Sequence, residues 1–239
     1  MNEVKKTENV SIYPLGESAI VMEFGTQIDS ETSGLISAIC RFLDEYSFEG
    51  FVEYVPAYTT VTLFYDIMVS DFQTTRSLLM EMLDEISDPD LEEEIDQVVE
   101  IPVLYGGETG RDLPFVAQYN GLTEEKVVSL HASGTYLVHM IGFAPGFPYL
   151  GGMDERIAVP RKDSPRALVT AGSVGIAGKQ TGIYPIDSPG GWQIIGQTPL
   201  NLFDLEREHP ALLKAGCKVR FVAIDVLEFD QLKGGSDGN

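Results

Sequence analysis

Apolar positions follow one pattern up to about residue 100 and another beyond it. In the first stretch, residues 18–24 (SAIVMEF) are dense in apolar, β-forming side chains after the turn signal Pro14-Leu15-Gly16, which predicts a strand. Leu35, Ile36, Ile39, Phe42, Leu43 and Tyr46 fall at helical spacing and predict a helix over 33–46. A strand pair is expected over 52–65, turning near Pro56, and Leu78, Leu79, Met82, Leu83 and Ile86 mark a second amphipathic helix. Strands interleaved with two helices predict a small α+β sandwich with the helices on one sheet face. In the second stretch, residues 98–104 read as a strand ending at Gly106-Gly107. Residues 113–119 and 124–131 read as short helices, the latter started by Thr123 with Glu124 and Glu125. From Tyr136 onward nearly every segment is a short apolar run closed by glycine or proline, a rhythm that predicts a closed β barrel. The expectation is an α+β N-terminal domain, 1–95, followed by a mainly-β barrel domain, 96–239.

Composition sharpens that division. Residues 1–100 carry 4 Lys+Arg against 22 Asp+Glu, and the remainder 12 against 15. Only 4 of the 24 glycines and 3 of the 13 prolines precede residue 101, so turn chemistry belongs to the second stretch. The boundary is expected in the acidic run 88–94 (DPDLEEE), which repels itself and stays solvated. The acidic side chains of the first stretch fall on the outer faces of its helices, and are read as a solubilising surface rather than a cation site. A net charge of −21 speaks against nucleic acid and against anionic membrane surfaces as partners. Without a long apolar run or an apolar leader, a soluble, cytoplasmic protein is expected. Cys40 and Cys217 stand far apart and outside any CxxC motif, and alternation through 217–222 predicts a buried thiol at Cys217.

Candidate chemistry concentrates in three segments. Residues 142–152 (GFAPGFPYLGG) exclude a helix and an interior strand through Pro145 and Pro148, leaving an ordered loop that displays Phe143, Phe147 and Tyr149. Two readings of it stay open: a binding surface, or a barrel end plugged by its own aromatics. Residues 171–198 contain Gly172, Gly175, Gly178 and Lys179 but depart from a Walker loop. Five residues separate the outer glycines, Gln180 follows the lysine, and no helix follows to bring its dipole to a phosphate. Lys179, Gln180 and Tyr184 are read instead as a small polar group, after which Ser188-Pro189-Gly190-Gly191 turns and delivers Trp192. The third segment is basic: Arg161, Lys162 and Arg166 either clamp an anion or pair with the acidic first domain or with Asp154, Glu155 and Asp163. His131, His139 and His209 have no metal-ligand spacing, so no metal site is expected, and His139 is read as core or barrel lining. There is no G-x-S-x-G elbow. The residues alone name a binding groove on a barrel and no complete catalytic set.

The run LVHMIGFAPGFPYLGGMDERIAVPRKDSPR, followed by AGSVGIAGKQTGIYPIDSPGGWQIIGQTPLNLF, resembles the bacterial family that contains the B subunit of 5-oxoprolinase, the histidine-kinase inhibitor KipI and allophanate hydrolase subunit 1. It is also similar to a domain of urea carboxylase. The resemblance runs from YPLGESAIVMEFG to VRFVAID, with departures at Thr170 and Lys179. It implies a cyclophilin-like barrel and partner subunits C and A, which together open 5-oxoproline to glutamate using ATP with magnesium at the level of the complex. On that footing Arg161, Arg166 and Gln180 are the candidate catalytic residues. Phe143, Phe147, Tyr149, Lys179, Tyr184 and Trp192 are candidates for substrate or interface contact. A KipI-like role, clamping a histidine kinase, and a role in allophanate hydrolysis are the alternatives the resemblance leaves.

Overall fold

The computed structural model describes residues 10–26, 30–86 and 98–236. The chain divides into two compact units, Met1–Glu94 and Ile95–Asn239. The acidic run 88–94 in which the sequence places the boundary lies outside the described residues.

In the first unit, β1 (Ser11–Pro14), β2 (Ala19–Glu23), β3 (Phe51–Pro56) and β4 (Thr60–Tyr65) form an antiparallel sheet in the order β1-β2-β4-β3. Helices α1 (Ser30–Glu45) and α2 (Phe72–Glu85) supply its core partners. Ile20, Met22, Val61 and Leu63 from the strands meet Leu35, Ile36, Ile39 and Leu43 of α1 and Leu79, Met82 and Leu83 of α2. This is the layer the helical and strand periodicities predict. Asp71 starts α2 by accepting a hydrogen bond from the Thr74 N–H, 2.8 Å, which satisfies a donor the helix leaves free. Burial and the Asp44 charge push the Cys40 thiol up to about 12, so it is an inert thiol.

The second unit is a closed barrel. Its strands are β5 (Val98–Tyr105), β6 (Thr135–Ile141), β7 (Pro148–Gly151), β9 (Ser173–Ala177), β10 (Gln180–Ile183), β12 (Gln193–Gln197) and β13 (Lys218–Ala223). They follow one another in the order β10-β7-β6-β13-β5-β12-β9, with β9 pairing back to β10. All pair antiparallel except β5 with β13, which run parallel from Val98↔Lys218 to Val103↔Ala223. Inside lie Ile101, Val103, Val138, Leu150, Val174, Ile176, Ile195 and Val219. Helices α3 (Leu113–Tyr119) and α4 (Glu124–Ser133) add Leu113, Val116, Val127 and Leu130 to the same core. A short ribbon, β8 (Arg166–Val169) with β11 (Ser188–Gly190), lies outside the barrel ladder. Cys217 is buried, as its alternation predicts, and burial pushes its thiol up. A C-terminal helix, α5 (Val226–Ser236), has no counterpart in the periodicity reading. Its local signal is a capping box: the Glu228 N–H donates to Asp225, and the Asp225 N–H donates back to the Glu228 carboxylate. Among the described residues no helix is long and apolar enough to cross a membrane.

Candidate functional site

The loop between β6 and β7 is built by local rules. Ala144-Pro145-Gly146-Phe147 forms a tight turn closed by a 3.0 Å bond from the Phe147 N–H to the Ala144 carbonyl, with Gly146 at φ +79°. Proline followed by a left-handed glycine is the signature of a type II turn. A side chain at Gly146 would also press on Phe203, 3.0 Å away. The turn aims Phe147 inward, where it is 2% exposed, and leaves Phe143 67% exposed at φ +70°. A non-glycine residue held in that region carries strain of order 1 kcal/mol, which the surrounding packing must offset. Phe147 is therefore buried among its own aromatics, and Phe143 is displayed.

Phe147 is the hub of an aromatic cluster. Its ring meets Phe143 at 5.5 Å, Tyr149 at 5.0 Å, Tyr184 at 5.4 Å and Trp192 at 5.5 Å, each edge to face. Edge-to-face contacts add stability beyond area burial and fix ring orientation. The glycine-rich segment 171–198 has its account here. A side chain at Gly182 would fall 3.1 Å from both Phe147 and Trp192, and one at Gly190 would overlap the Tyr184 hydroxyl. These glycines make room for rings, not for phosphates. Gly190→Ala should accordingly push Tyr184 from its niche and cost about 1–3 kcal/mol of stability, as overpacking does, read as a lowered melting temperature with altered Trp192 emission. An unchanged melting temperature would show that the niche is slack.

The cluster walls a cavity of about 270 Å³, lined by Phe143, Phe147, Tyr149, Tyr184, Trp192, Arg161 and Lys162, with Pro165, Pro189, Gly190 and Gly191 completing it. The Arg161 guanidinium lies 6.0 Å from the centre of the Trp192 ring, within cation–π range. The basic segment does not pair with Asp154, Glu155 or Asp163, as one reading expects. Its partner is Asp112, whose side chain is 8% exposed and which takes Arg166 at 2.7 Å and Lys162 at 3.4 Å. The other Asp112 oxygen accepts the Ile194 N–H, 2.7 Å. Burial by itself raises the Asp112 pKa; the Arg166 hydrogen bond, the Ile194 N–H and the two cations outweigh that and hold it below the usual carboxylate range. Arg166 also lines a second cavity of about 90 Å³ with Arg111, Thr109, Ser173 and Gln197.

Arg161, Phe143, Phe147, Tyr149, Tyr184 and Trp192 are thus brought together, and Arg166 is tied beside them by Asp112. Lys179 and Gln180 are not. They sit at the β9–β10 hairpin, with Lys179 paired to Glu155 at 2.7 Å. Tyr184 lies just past the far end of β10, about 13 Å along the strand at roughly 3.3 Å per residue. Neither Lys179 nor Gln180 lines either cavity, so the expected group Lys179–Gln180–Tyr184 is not formed and the set Arg161, Arg166, Gln180 does not meet within this chain. His139 fills the space a side chain at Gly151 would take, and burial pushes its pKa down. Sequence reasoning missed Asp112 and His131. His131 lies within the barrel, with its Nε2 2.8 Å from Thr181 Oγ1 and its Nδ1 2.7 Å from the Tyr105 hydroxyl. Among the described residues no group of three His, Cys, Asp or Glu side chains is placed to hold a metal ion.

The family described as carboxyltransferase domain, subdomain C and D, matches residues 10–213. The B subunit of 5-oxoprolinase from Bacillus subtilis (strain 168) is 46% identical over 242 residues, covering 97% of this chain and 100% of that one. Its counterpart from Haemophilus influenzae, also a 5-oxoprolinase B subunit, is 42% identical over 213 residues, covering 89% and 97%. The crystal structure of a conserved uncharacterized protein from Pyrococcus horikoshii is 45% identical and covers 92% of this chain and 100% of that one, at a TM-score of 0.56. With a family match across most of its length and relatives matched nearly end to end, the chain belongs to the carboxyltransferase subdomain C and D family, the family that contains the B subunit of 5-oxoprolinase.

Proposed function

We propose that this chain is the B subunit of an ATP-dependent 5-oxoprolinase, a non-autonomous part of a cytoplasmic complex in which subunits A and C take part in opening 5-oxoproline to L-glutamate. The near-complete match to 5-oxoprolinase B subunits carries this reading. The cavity supports it: a stiff aromatic pocket with a cation at its wall, in a barrel of the cyclophilin-like kind, contains binding elements without a nucleophile and base of its own. In this reading residues 1–95 and 96–239 are separate domains. The missing groups come from a partner, and exposed Phe143 and Arg161 sit where a partner surface would close the cavity.

ATP is intelligible on chemical grounds. A lactam is a resonance-stabilised amide and a poor electrophile; phosphorylating its oxygen turns that oxygen into a leaving group, and the charge that develops calls for cationic clamps. This cavity does not fit magnesium, because no carboxylate lines it. ATP and its metal are therefore assigned to the complex. Gln180 and Lys179, on the hairpin, are left as candidates for contact with a partner chain rather than with the cavity's ligand. No observation favours kinase inhibition or allophanate hydrolysis over this reading.

The test is glutamate release from 5-oxoproline and ATP by purified subunits, with each omitted in turn. Omitting this chain should lower the rate at least about a hundredfold, the scale of a site left unassembled. An undiminished rate from A and C alone, or no release from the assembled three, overturns the proposal.

A further inference from the structure

We propose that the aromatic cavity seats the acidic lactam itself, a small ring bearing one carboxylate, with that carboxylate held by Arg161 and the ring against Trp192 and Phe143. The inference rests on the reading above and adds to it a seat for that substrate, an orientation and an anchoring residue.

Charge selects the anchor. Two cations line the cavity, Arg161 and Lys162, and Lys162 is already committed, with Arg166 beside it, to Asp112. Arg161 has no carboxylate partner among the described residues; what it faces is the Trp192 ring. One buried carboxylate against three cations leaves the group cationic in a chain of net charge −21. Distant acidic residues are screened beyond roughly 8–10 Å, so the local cations decide which ligand is drawn in. A guanidinium offers parallel donors that match a carboxylate, and its aromatic contact holds the fork in place before the ligand arrives.

Shape selects the ring. The cavity, about 270 Å³, lies just below the range of about 300–1,000 Å³ common for drug-sized ligands, a size that suits a small ring. Apart from its cations it offers aromatic, proline and glycine surface, suited to a compact and largely apolar ring. The walls are set in advance. Phe147 and Tyr184 are each 2% exposed and held edge to face, so a ligand need not order them. Phe143, at φ +70° and exposed, stands at the rim of the cavity.

Trp192 is the only tryptophan in the chain, so its emission reports on this cavity alone. The full chain and its Arg161→Gln and Arg161→Lys variants would be titrated with 5-oxoproline, with 2-pyrrolidinone (the same lactam lacking the carboxylate) and with ATP. A saturable change with 5-oxoproline is expected, weakened at least about tenfold by Arg161→Gln, with Arg161→Lys between, and at least about tenfold weaker for 2-pyrrolidinone, as loss of a charged hydrogen bond requires. Equal binding of the two lactams, unchanged binding by Arg161→Gln, or saturation by ATP that 5-oxoproline does not displace overturns the assignment. Where the isolated chain shows no spectral change, the assembled complex decides. There Arg161→Gln should raise KM for 5-oxoproline at least about tenfold and leave KM for ATP unaltered, and an unaltered KM for 5-oxoproline overturns the seat while the reading of the chain as part of the enzyme stands. A wild-type complex that releases no glutamate fails that reading instead, and direct titration then judges the seat by itself.

Discussion

Lowering the pH from about 6.5 towards 3 is expected to weaken the barrel progressively through one residue, His131. Its ring is fully buried against Phe221, 4.4 Å between centroids, and faces the hydroxyls of Tyr105 and Thr181 and the ring of Tyr136 rather than any charged group. The hydrogen bonds fix its tautomer. The Thr181 hydroxyl donates to the Gly175 carbonyl, 3.1 Å, so it must accept from His131 Nε2–H, which leaves Nδ1 to accept the Tyr105 O–H. A second proton on the ring would set Nδ1–H against that O–H in a dry interior. Burial pushes the His131 pKa down to about 3. The sign follows: above about 6.5 neither folded nor unfolded chain holds the proton, and the contribution is intact. Between 6.5 and 3 the unfolded chain takes a proton that the fold refuses, and stability falls by up to about 1.4 kcal/mol per pH unit. His131→Gln removes that titration and keeps a neutral polar side chain. The variant should be about 1–3 kcal/mol less stable than the parent at pH 7.5, and the gap should shrink by roughly 2 kcal/mol at pH 5 in urea unfolding. The same gap at both pH values would show that His131 is already charged, or accessible, in the fold.

What the sequence made legible was local. Strand β2, helices α1 and α2, the 124–133 helix with its Thr123 cap and the strand β5 follow from periodicity and end signals that act over a few residues. The 142–152 loop was readable for the same reason, since Pro145-Gly146 dictates its turn and the turn dictates which phenylalanine faces in. Helix α5 was readable too, through Asp225 and Glu228, but two glycines in its last turns and a weak apolar stripe hid it. What stayed hidden was made by contacts across the barrel. Asp112 precedes Leu113-Pro114, where the local rule assigns an N-cap, yet its side chain makes no cap bond and is spent on Arg166, Lys162 and Ile194, all at least 50 residues away. His131 looks like a helix-end histidine, and Tyr105, Thr181 and Phe221, each at least 26 residues away, make it an interior one. Lys179 and Gln180 misled in the opposite direction: closeness to Tyr184 in sequence became separation along an extended strand.

Asp112→Ala is expected to be the most damaging single change behind the cavity, at about 3 kcal/mol, the low end for stripping one partner from a buried ion pair. The low end applies because Arg166 and Lys162 are 26% and 30% exposed and can recover some hydration, whereas the buried Ile194 N–H cannot. The loss is larger than that of a surface pair, since the carboxylate ties the turn before α3 to β8, to the 161–166 segment and to β12, which follows Trp192. Its pH dependence has a definite sign. The folded pKa lies below the ordinary carboxylate value, so the contribution is complete above that value and is lost as pH falls through the folded one. Asp112→Asn keeps an acceptor for the Ile194 N–H and should lose less than the alanine variant. Removing Arg166 as well should cost clearly less than the sum of the two single changes, because the second change removes a charge the first has already orphaned. Denaturant unfolding of the four proteins gives the coupling directly, and strict additivity would mean that Asp112 and Arg166 do not act as a pair. With Lys162 and Arg166 released from Asp112, they become rivals of Arg161 for an anion. The alanine variant should therefore bind the carboxylate lactam with less dependence on Arg161, a change a merely destabilised barrel has no reason to show.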